Sequence, residues 1–258
     1  MAVSDDAFAL AFDGLTIEEG LKLREECKTR YFPATDRSRY SHLLSVADLD
    51  AFLATDAAQV PRVAMADSGR NGSASVPDDL FTYTDGKVNP AKLFALFDTT
   101  ATLVVSQFQD FHPPLGRFCR GLEQVFLHGV QANIYLTPTG AQGFRTHFDS
   151  HDVLVLQVQG EKRWRVWDHQ PVPYATNRTP WDGEAHKPDP AKAHELVLRP
   201  GDALYVPRGK GAFPSVTMMR AGPGTMSAPA LAISSARSKT GTAMSVASSA
   251  RNLSSIAR

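Results

Sequence analysis

The sequence lacks several residue types, and these shortages fall together near its end. Among 258 residues there is no Asp or Glu after Asp202, no histidine after His194 and no aromatic residue after Phe213. At ordinary composition, a stretch of that length holds roughly six acidic residues. About half of the residues from position 221 onward are Ser or Ala. Such a segment buries too little apolar surface to offset its ordering entropy. We therefore expect a low-complexity tail at 210–258 that is largely disordered from about residue 215.

Cysteine is also scarce, and the formal net charge is zero. Cys27 and Cys119 form no pattern typical of a disulfide framework or a zinc site, which favours a reducing, cytoplasmic compartment. A neutral chain points to neither nucleic acid nor a membrane as a partner. No apolar run is long enough to cross a bilayer. The first residues are acidic and lack the basic start of a secretory signal.

The elements predicted along the chain change from helices to strands. Ser45 is a plausible N-cap of the second helix, and Asn89 with Pro90 makes a good start for the third. Cys119 lies on the apolar stripe of a fourth helix, where we expect a small core residue. This order predicts an α+β fold with a sandwich or barrel core. The predicted helices are 15–29, 45–55, one from 89 and 114–127, and the predicted strands are 60–66, 101–106, 130–136, 152–159, 163–168, 194–199 and 202–207.

The stretch "THFDSHD" carries a candidate metal site. In an extended segment His147 and Asp149 point to the same face, with backbones about 6.6 Å apart, so both can contact one ion. An imidazole and a carboxylate suit a divalent transition metal, and a second histidine would complete the facial triad of non-haem iron oxygenases. The pair alone is a weak signal. His151 would lie about 13 Å from His147 on a straight strand, so we interpret it as a pocket-rim or structural histidine.

The surrounding motifs strengthen this interpretation. "NIYLTPTGAQGFRTHFDSHDVLVLQVQGEKRWRVW", followed by "LRPGDALYVPRG", resembles the cupin-type JmjC oxygenases, and within them the ribosomal-oxygenase branch. The resemblance covers about residues 85–209. It implies a double-stranded β-helix core, on which the helices and strand of residues 1–84 pack. It also implies Fe(II) and 2-oxoglutarate inside the core, and hydroxylation of a protein side chain, with a ribosomal protein as the substrate type.

The resemblance assigns roles residue by residue. His147 and Asp149 match the first two iron ligands, and Lys162 matches the basic residue that pairs with the distal carboxylate of 2-oxoglutarate. Asn133 and Tyr135 match polar residues that line the same pocket. Without the resemblance, we would interpret Lys162 in "QGEKR" as a solvated residue of a hairpin turn. Trp164 and Trp167 are interpreted as core aromatics.

This chain departs from the family pattern at one position. The family places its second iron histidine three residues after P-R-G, and this chain has Ala212 there. The closing strands and the dimerisation region of the family are not recognisable after Gly209. We therefore expect missing C-terminal strands, and we do not expect the family-like homodimer. The explanations are a shift of reading frame close to Gly209, a truncated and diverged member, or a site with two protein ligands.

Three functions fit these residues. The first is an Fe(II)- and 2-oxoglutarate-dependent dioxygenase, whose activity the missing ligand puts in question. The second is a non-catalytic cupin-like binding module or pseudoenzyme. The third is a zinc-dependent hydrolase or cupin isomerase that uses the same two ligands, against which the Lys162 context argues.

Overall fold

A computed structural model of the chain describes residues 3–70, 74–142, 144, 147–168, 172, 176, 179, 186, 188–209, 212–213 and 229–236. These residues form α-helices and two antiparallel sheets, as the α+β prediction requires. The helices are α1 (Val3–Ala11), α2 (Ile17–Glu25), α3 (Val46–Leu53), α4 (Pro90–Thr99) and α5 (Pro113–Phe126). The strands are β1 (Arg30–Phe32), β2 (Val63–Ala66), β3 (Thr102–Val105), β4 (Gly129–Leu136), β5 (Asp152–Gln157), β6 (Lys162–Val166), β7 (His194–Leu198), β8 (Ala203–Val206), β9 (Ala212–Phe213) and β10 (Pro229–Ala236).

The predicted helix starts are confirmed by their caps. The Ser45 hydroxyl accepts a hydrogen bond from the backbone N–H of Asp48, whose carboxylate accepts from the Ser45 N–H in return. The Asn89 side chain accepts from the Lys92 N–H, with Pro90 at the first helical position. Each cap satisfies a donor that the helix start leaves without an intrahelical partner. Local sequence therefore determines where these helices begin.

The strands form a seven-stranded sheet and a three-stranded sheet. Their orders are β1-β8-β5-β10-β4-β3-β2 and β7-β6-β9, and every strand pairing is antiparallel. The turn at 158–161 leads from β5 in the larger sheet to β6 in the smaller one. The first 84 residues also belong to this architecture, because β1 pairs with β8 and β2 pairs with β3.

Strand β10 corrects the expectation for the C-terminal segment. We predicted disorder from about residue 215 and missing closing strands, but Pro229–Ala236 lies between β4 and β5 and pairs with both. Backbone groups on two facing strand edges need partners, and any non-proline backbone can supply them. The Ser- and Ala-rich composition of the whole tail concealed the locally apolar run "ALAI" within it. The remaining positions of 214–258 lie outside the described residues.

The larger sheet has a different core on each face. Its outer face packs against the helices, and Ala132, Ile134 and Leu136 of β4 belong to this core, together with Leu154 and Leu156 of β5. The inner face looks toward the three-stranded sheet. There the apolar cluster is much smaller and consists of Val155, Trp164, Val166, Leu198, Leu204 and Val206. A small apolar cluster between two sheets leaves room in the interior for polar side chains.

The helical layer covers the outer face. Phe8 and Phe12 of α1 stack with ring centroids 4.9 Å apart and contact Phe126 of α5. Cys119 is buried in the same layer, and burial raises the pKa of its thiol to about 12. This confirms Cys119 as a core residue. No helix in the described part of the chain is long and apolar enough to cross a membrane.

Candidate functional site

One face of β4 carries the polar residues of the interior. Side chains alternate along a strand, so Asn133 and Tyr135 share the face opposite to Ile134 and Leu136, and Thr137 continues that face. Asn133 is buried, and its side-chain oxygen accepts a hydrogen bond from the Gln107 N–H at 3.0 Å. The predicted alternation of Asn133 and Tyr135 is confirmed.

Lys162 enters the same interior from the opposite sheet. It is only 4% exposed, and its ammonium donates a 3.2 Å hydrogen bond to the Thr137 hydroxyl. No carboxylate in the described part of the chain pairs with it, and burial lowers its pKa to about 7. A buried cation without an anionic partner is costly. The solvated-hairpin alternative is therefore wrong, and the position suits an anionic ligand.

Three further polar atoms near this interior are buried and have no hydrogen-bond partner among the described residues. They are the Ser106 hydroxyl, the Gln157 carbonyl oxygen and the Trp164 indole N–H. By strand alternation Gln157 shares a face with Val155, and Trp164 shares a face with Lys162. Buried polar groups in folded proteins nearly always have partners. We call Ser106, Asn133, Thr137, Gln157, Lys162 and Trp164 the polar interior.

The predicted metal pair lies before a strand rather than on one. β5 begins at Asp152, and His147 and Asp149 occupy the irregular segment that leads into it. Their side chains nevertheless converge, with His147 Nε2 3.9 Å from Asp149 Oδ2. The side chains are 30% and 43% exposed, so the pair is accessible. His151, the rival ligand, is half-buried at the end of the same segment.

Ring contacts connect this pair to Tyr135, which shares its face of β4 with Asn133. Phe144 lies 6.1 Å from the His147 ring and 5.7 Å from the Tyr135 ring, centroid to centroid. Burial of the Tyr135 hydroxyl and then the nearby Asp149 carboxylate raise its pKa above the usual value. The hydroxyl therefore stays protonated and can donate a hydrogen bond. The structure thus places Asn133, Tyr135 and Lys162 at the interior between the two sheets, and Phe144 links Tyr135 to the His147–Asp149 pair.

The P-R-G turn lies against the metal pair. The Gly209 N–H donates a 2.8 Å hydrogen bond to the Asp149 carbonyl, and Ala212 follows in β9, opposite Val166 of β6. In the part of the chain that the structure describes, no three His, Cys, Asp or Glu side chains are grouped to hold a metal. The P-R-G turn therefore contacts the Asp149 segment, and the family's third-ligand position, on β9, is occupied by an alanine, which cannot bind a metal.

The sequence interpretation missed several members of the polar interior. Thr137 could have been found, because it continues the alternation of Asn133 and Tyr135. Trp164 was interpreted only as a core aromatic, and its indole N–H has no hydrogen-bond partner among the residues that the structure describes. Ser106 and Gln157 gave no local signal, since only the packing of the two sheets buries them.

Comparison with known proteins identifies the class. The JmjC domain family matches residues 104–215, which contain all five predicted site residues. The chain is a JmjC protein of the ribosomal-oxygenase-like type, as the motifs predicted.

Particular relatives support this assignment. Ribosomal oxygenase 2 of Bos taurus is 42% identical over 127 residues, which cover 48% of this chain and 26% of that protein. Ribosomal oxygenase 1 of Homo sapiens is 32% identical over 180 residues, covering 67% of this chain and 26% of that protein. The chain therefore spans about a quarter of the length of these relatives.

A solved structure agrees with the fold. YcfD, a ribosomal oxygenase from Escherichia coli in complex with cobalt and succinic acid, matches with a TM-score of 0.53 and 16% identity. The match covers 88% of this chain and 53% of that one. At this identity the likeness supports the cupin-like JmjC fold alone.

Proposed function

We propose that the chain carries the cosubstrate and metal site of an Fe(II)- and 2-oxoglutarate-dependent dioxygenase that hydroxylates a protein side chain. One observation supports this above the others. Lys162 is a buried cation for which the described part of the chain offers no carboxylate, in an interior where further polar atoms have no partner among the described residues. A dicarboxylate ligand would supply the missing charge and hydrogen-bond partners. The site would lie in the β-helix core assigned to 85–209.

Lys162 would pair with the distal carboxylate of 2-oxoglutarate, and the Thr137 hydroxyl beside it would orient the ammonium. Asn133 and Tyr135, on the same face of β4, would bind the rest of the cosubstrate. The Tyr135 hydroxyl is protonated at neutral pH and would act as a hydrogen-bond donor. Trp164, two residues from Lys162 on β6, offers a further N–H donor.

His147 and Asp149 fit a divalent metal as two of its ligands. Their separation of 3.9 Å lets both atoms contact one ion, since bonds from such ligands are about 2.0–2.2 Å long. A neutral imidazole and a carboxylate suit Fe(II). Bound Fe(II) would supply the activation of O2 that couples conversion of 2-oxoglutarate to succinate and CO2 with insertion of one oxygen atom into a C–H bond. Ala212, at the family's third-ligand position, would leave two of the three protein ligands of the family pattern.

The names of the relatives support a proposal for the substrate type. Two are ribosomal oxygenases, and a third, from Aedes aegypti, is a bifunctional lysine-specific demethylase and histidyl-hydroxylase. We propose a side chain of a ribosomal protein as the substrate, and the cytoplasm as the compartment.

The test is turnover of 2-oxoglutarate to succinate with added Fe(II), in the wild type and in His147→Ala. The matched control is His42→Ala, because His42 is exposed and lies outside the site. Turnover that His147→Ala abolishes and His42→Ala keeps supports the proposal. Equal background turnover in all three proteins would refute catalysis.

A second candidate is a cupin-like binding module without catalysis. It is favoured by the absence of a three-ligand group among the described residues. A ligand that binds only the folded state raises the melting temperature. A rise in Tm with Mn(II) and 2-oxoglutarate, together with no succinate, would select this candidate.

A further inference from the structure

The carboxylate of Asp152, the first residue of β5, contacts two distant parts of the chain. One oxygen accepts a hydrogen bond from the Arg24 guanidinium on α2 at 3.0 Å. The other accepts from the backbone N–H of Arg208 at 3.0 Å. The Asp152 side chain is only 11% exposed. Charge-assisted hydrogen bonds sheltered from water hold geometry better than exposed ion pairs do.

These contacts lie next to the metal pair. The Gly209 N–H donates to the Asp149 carbonyl at 2.8 Å, one residue after the Arg208 N–H donates to Asp152. Two neighbouring amides of the P-R-G turn are therefore bound by the segment 149–152. The Arg24 side chain holds the same segment from the side of the helical layer.

The surroundings of Arg24 indicate that this arginine holds the chain in place and does not bind a second ligand. Its guanidinium lies 5.9 Å from the centroid of the Phe126 ring, and Phe126, Phe12 and Tyr205 line the adjoining cavity. That cavity measures about 30 Å³, which suits about one water and no organic ligand. The rigid aromatic packing restricts where the guanidinium can lie.

We propose that Arg24 and Asp152 are positioning residues, which fix the Asp149 segment against the 208–209 turn and so determine the metal geometry. This role rests on the proposed function, because it assumes that His147 and Asp149 bind the metal. The alanine at position 212 makes this role more important. When the chain supplies only two of the protein ligands in the family pattern, the affinity for metal depends strongly on how firmly these two are held. Residues that orient metal ligands typically change metal affinity by about 10- to 100-fold when they are removed.

The test compares Arg24→Met and Arg24→Lys with the wild type. The readouts are Co(II) affinity and 2-oxoglutarate affinity, each by calorimetry, and metal-free amide hydrogen exchange. We expect Arg24→Met to weaken Co(II) binding at least about tenfold. The 2-oxoglutarate affinity should change less than about twofold, because the described contacts of Arg24 are with Asp152 and Phe126 and do not include Lys162. Arg24→Lys keeps a cation near Asp152 and should recover most of the Co(II) affinity.

Arg37→Met is the matched control. Arg37 forms a 2.7 Å ion pair with Asp202, which also ties the N-terminal region to β8, but at the opposite end of that strand. Wild-type Co(II) affinity in Arg37→Met supports a specific role for Arg24. Wild-type affinity in Arg24→Met, or equal losses in both variants, would overturn it.

Failure of the proposed function gives a different result. If the wild type binds no Co(II), the metal assignment is wrong, and hydrogen exchange then decides only whether Arg24 fixes the Asp149 segment against the 208–209 turn. Faster exchange of the amides at 208–209 in Arg24→Met, but not in Arg37→Met, supports the view that Arg24 and Asp152 hold the turn in place. Unchanged exchange refutes it.

Discussion

The ammonium of Lys162 lies 3.2 Å from the hydroxyl of Thr137, across the interior between the two sheets. Burial away from water lowers the pKa of Lys162 to about 7, and a neutral hydroxyl is a weak partner for the charged form. This contact links the cosubstrate proposal to measurable pH effects.

The first prediction concerns stability. Between about pH 7 and the ordinary lysine pKa near 10.4, the unfolded chain holds a proton at Lys162 that the folded chain has lost. Folding stability must therefore rise with pH across this window, by up to about 1.4 kcal/mol per pH unit, and stay level below it. We expect this rise in the difference between the wild type and Lys162→Met, measured by urea unfolding. A difference that is flat from pH 7 to 10 would contradict the buried, unpaired lysine.

The second prediction concerns 2-oxoglutarate binding. A carboxylate binds the protonated lysine, so affinity should fall as pH rises above 7, by up to about tenfold per unit. Lys162→Arg stays charged and should bind with little dependence on pH in this range. Lys162→Met should lose binding at pH 7. Calorimetric titration measures all three, and the idea fails if Lys162→Met binds as tightly as the wild type.

The third prediction concerns Ala212. Ala212→His places an imidazole opposite Val166, at the position where the family pattern requires a ligand. We expect Mn(II) affinity to increase at least about tenfold, about 1.4 kcal/mol. Phe213→His is the control, because neighbouring residues of a strand point to opposite faces. The gain should disappear in the double variant with His147→Ala. Equal gains in Ala212→His and Phe213→His would show that position 212 is not special.

The fourth prediction tests the P-G-D turn. Gly201 has a φ of +87°, and an added Cβ would collide with the Asp36 backbone oxygen. Gly140, at φ +79°, has nothing within 4 Å of that position. Gly140→Ala should therefore cost only the backbone strain, about 1 kcal/mol. Gly201→Ala should cost at least about 2 kcal/mol more, since it also displaces backbone. Similar unfolding free energies for the two variants would be evidence against this packing.

Several features of the fold could be predicted because their causes are local. Ser45 and Asn89 start helices through hydrogen bonds to residues three positions away. Asn133 and Tyr135 share a face because a strand alternates. His147 and Asp149 were expected on a strand and lie in a loop, yet their spacing of two still brings the side chains together.

Other features depend on contacts between distant segments. Strand β10 was not predicted, since its place depends on the edges of β4 and β5 rather than on its own composition. The Asp152 carboxylate binds Arg24 and the Arg208 N–H, which lie 128 and 56 positions away in the sequence. No local pattern marks such partners.

The sequence by itself determined the class of this protein and the chemistry of its residues: the motif H-x-D, the lysine of "GEKRW" and the alanine at position 212 are all readable without coordinates. Only the tertiary structure decided that Lys162 is buried with no carboxylate partner among the described residues, and that the P-R-G turn is bound to the Asp149 segment. The physical reason is that burial and charge pairing arise where two sheets and a helical layer meet, and these surfaces are assembled from residues far apart in the chain.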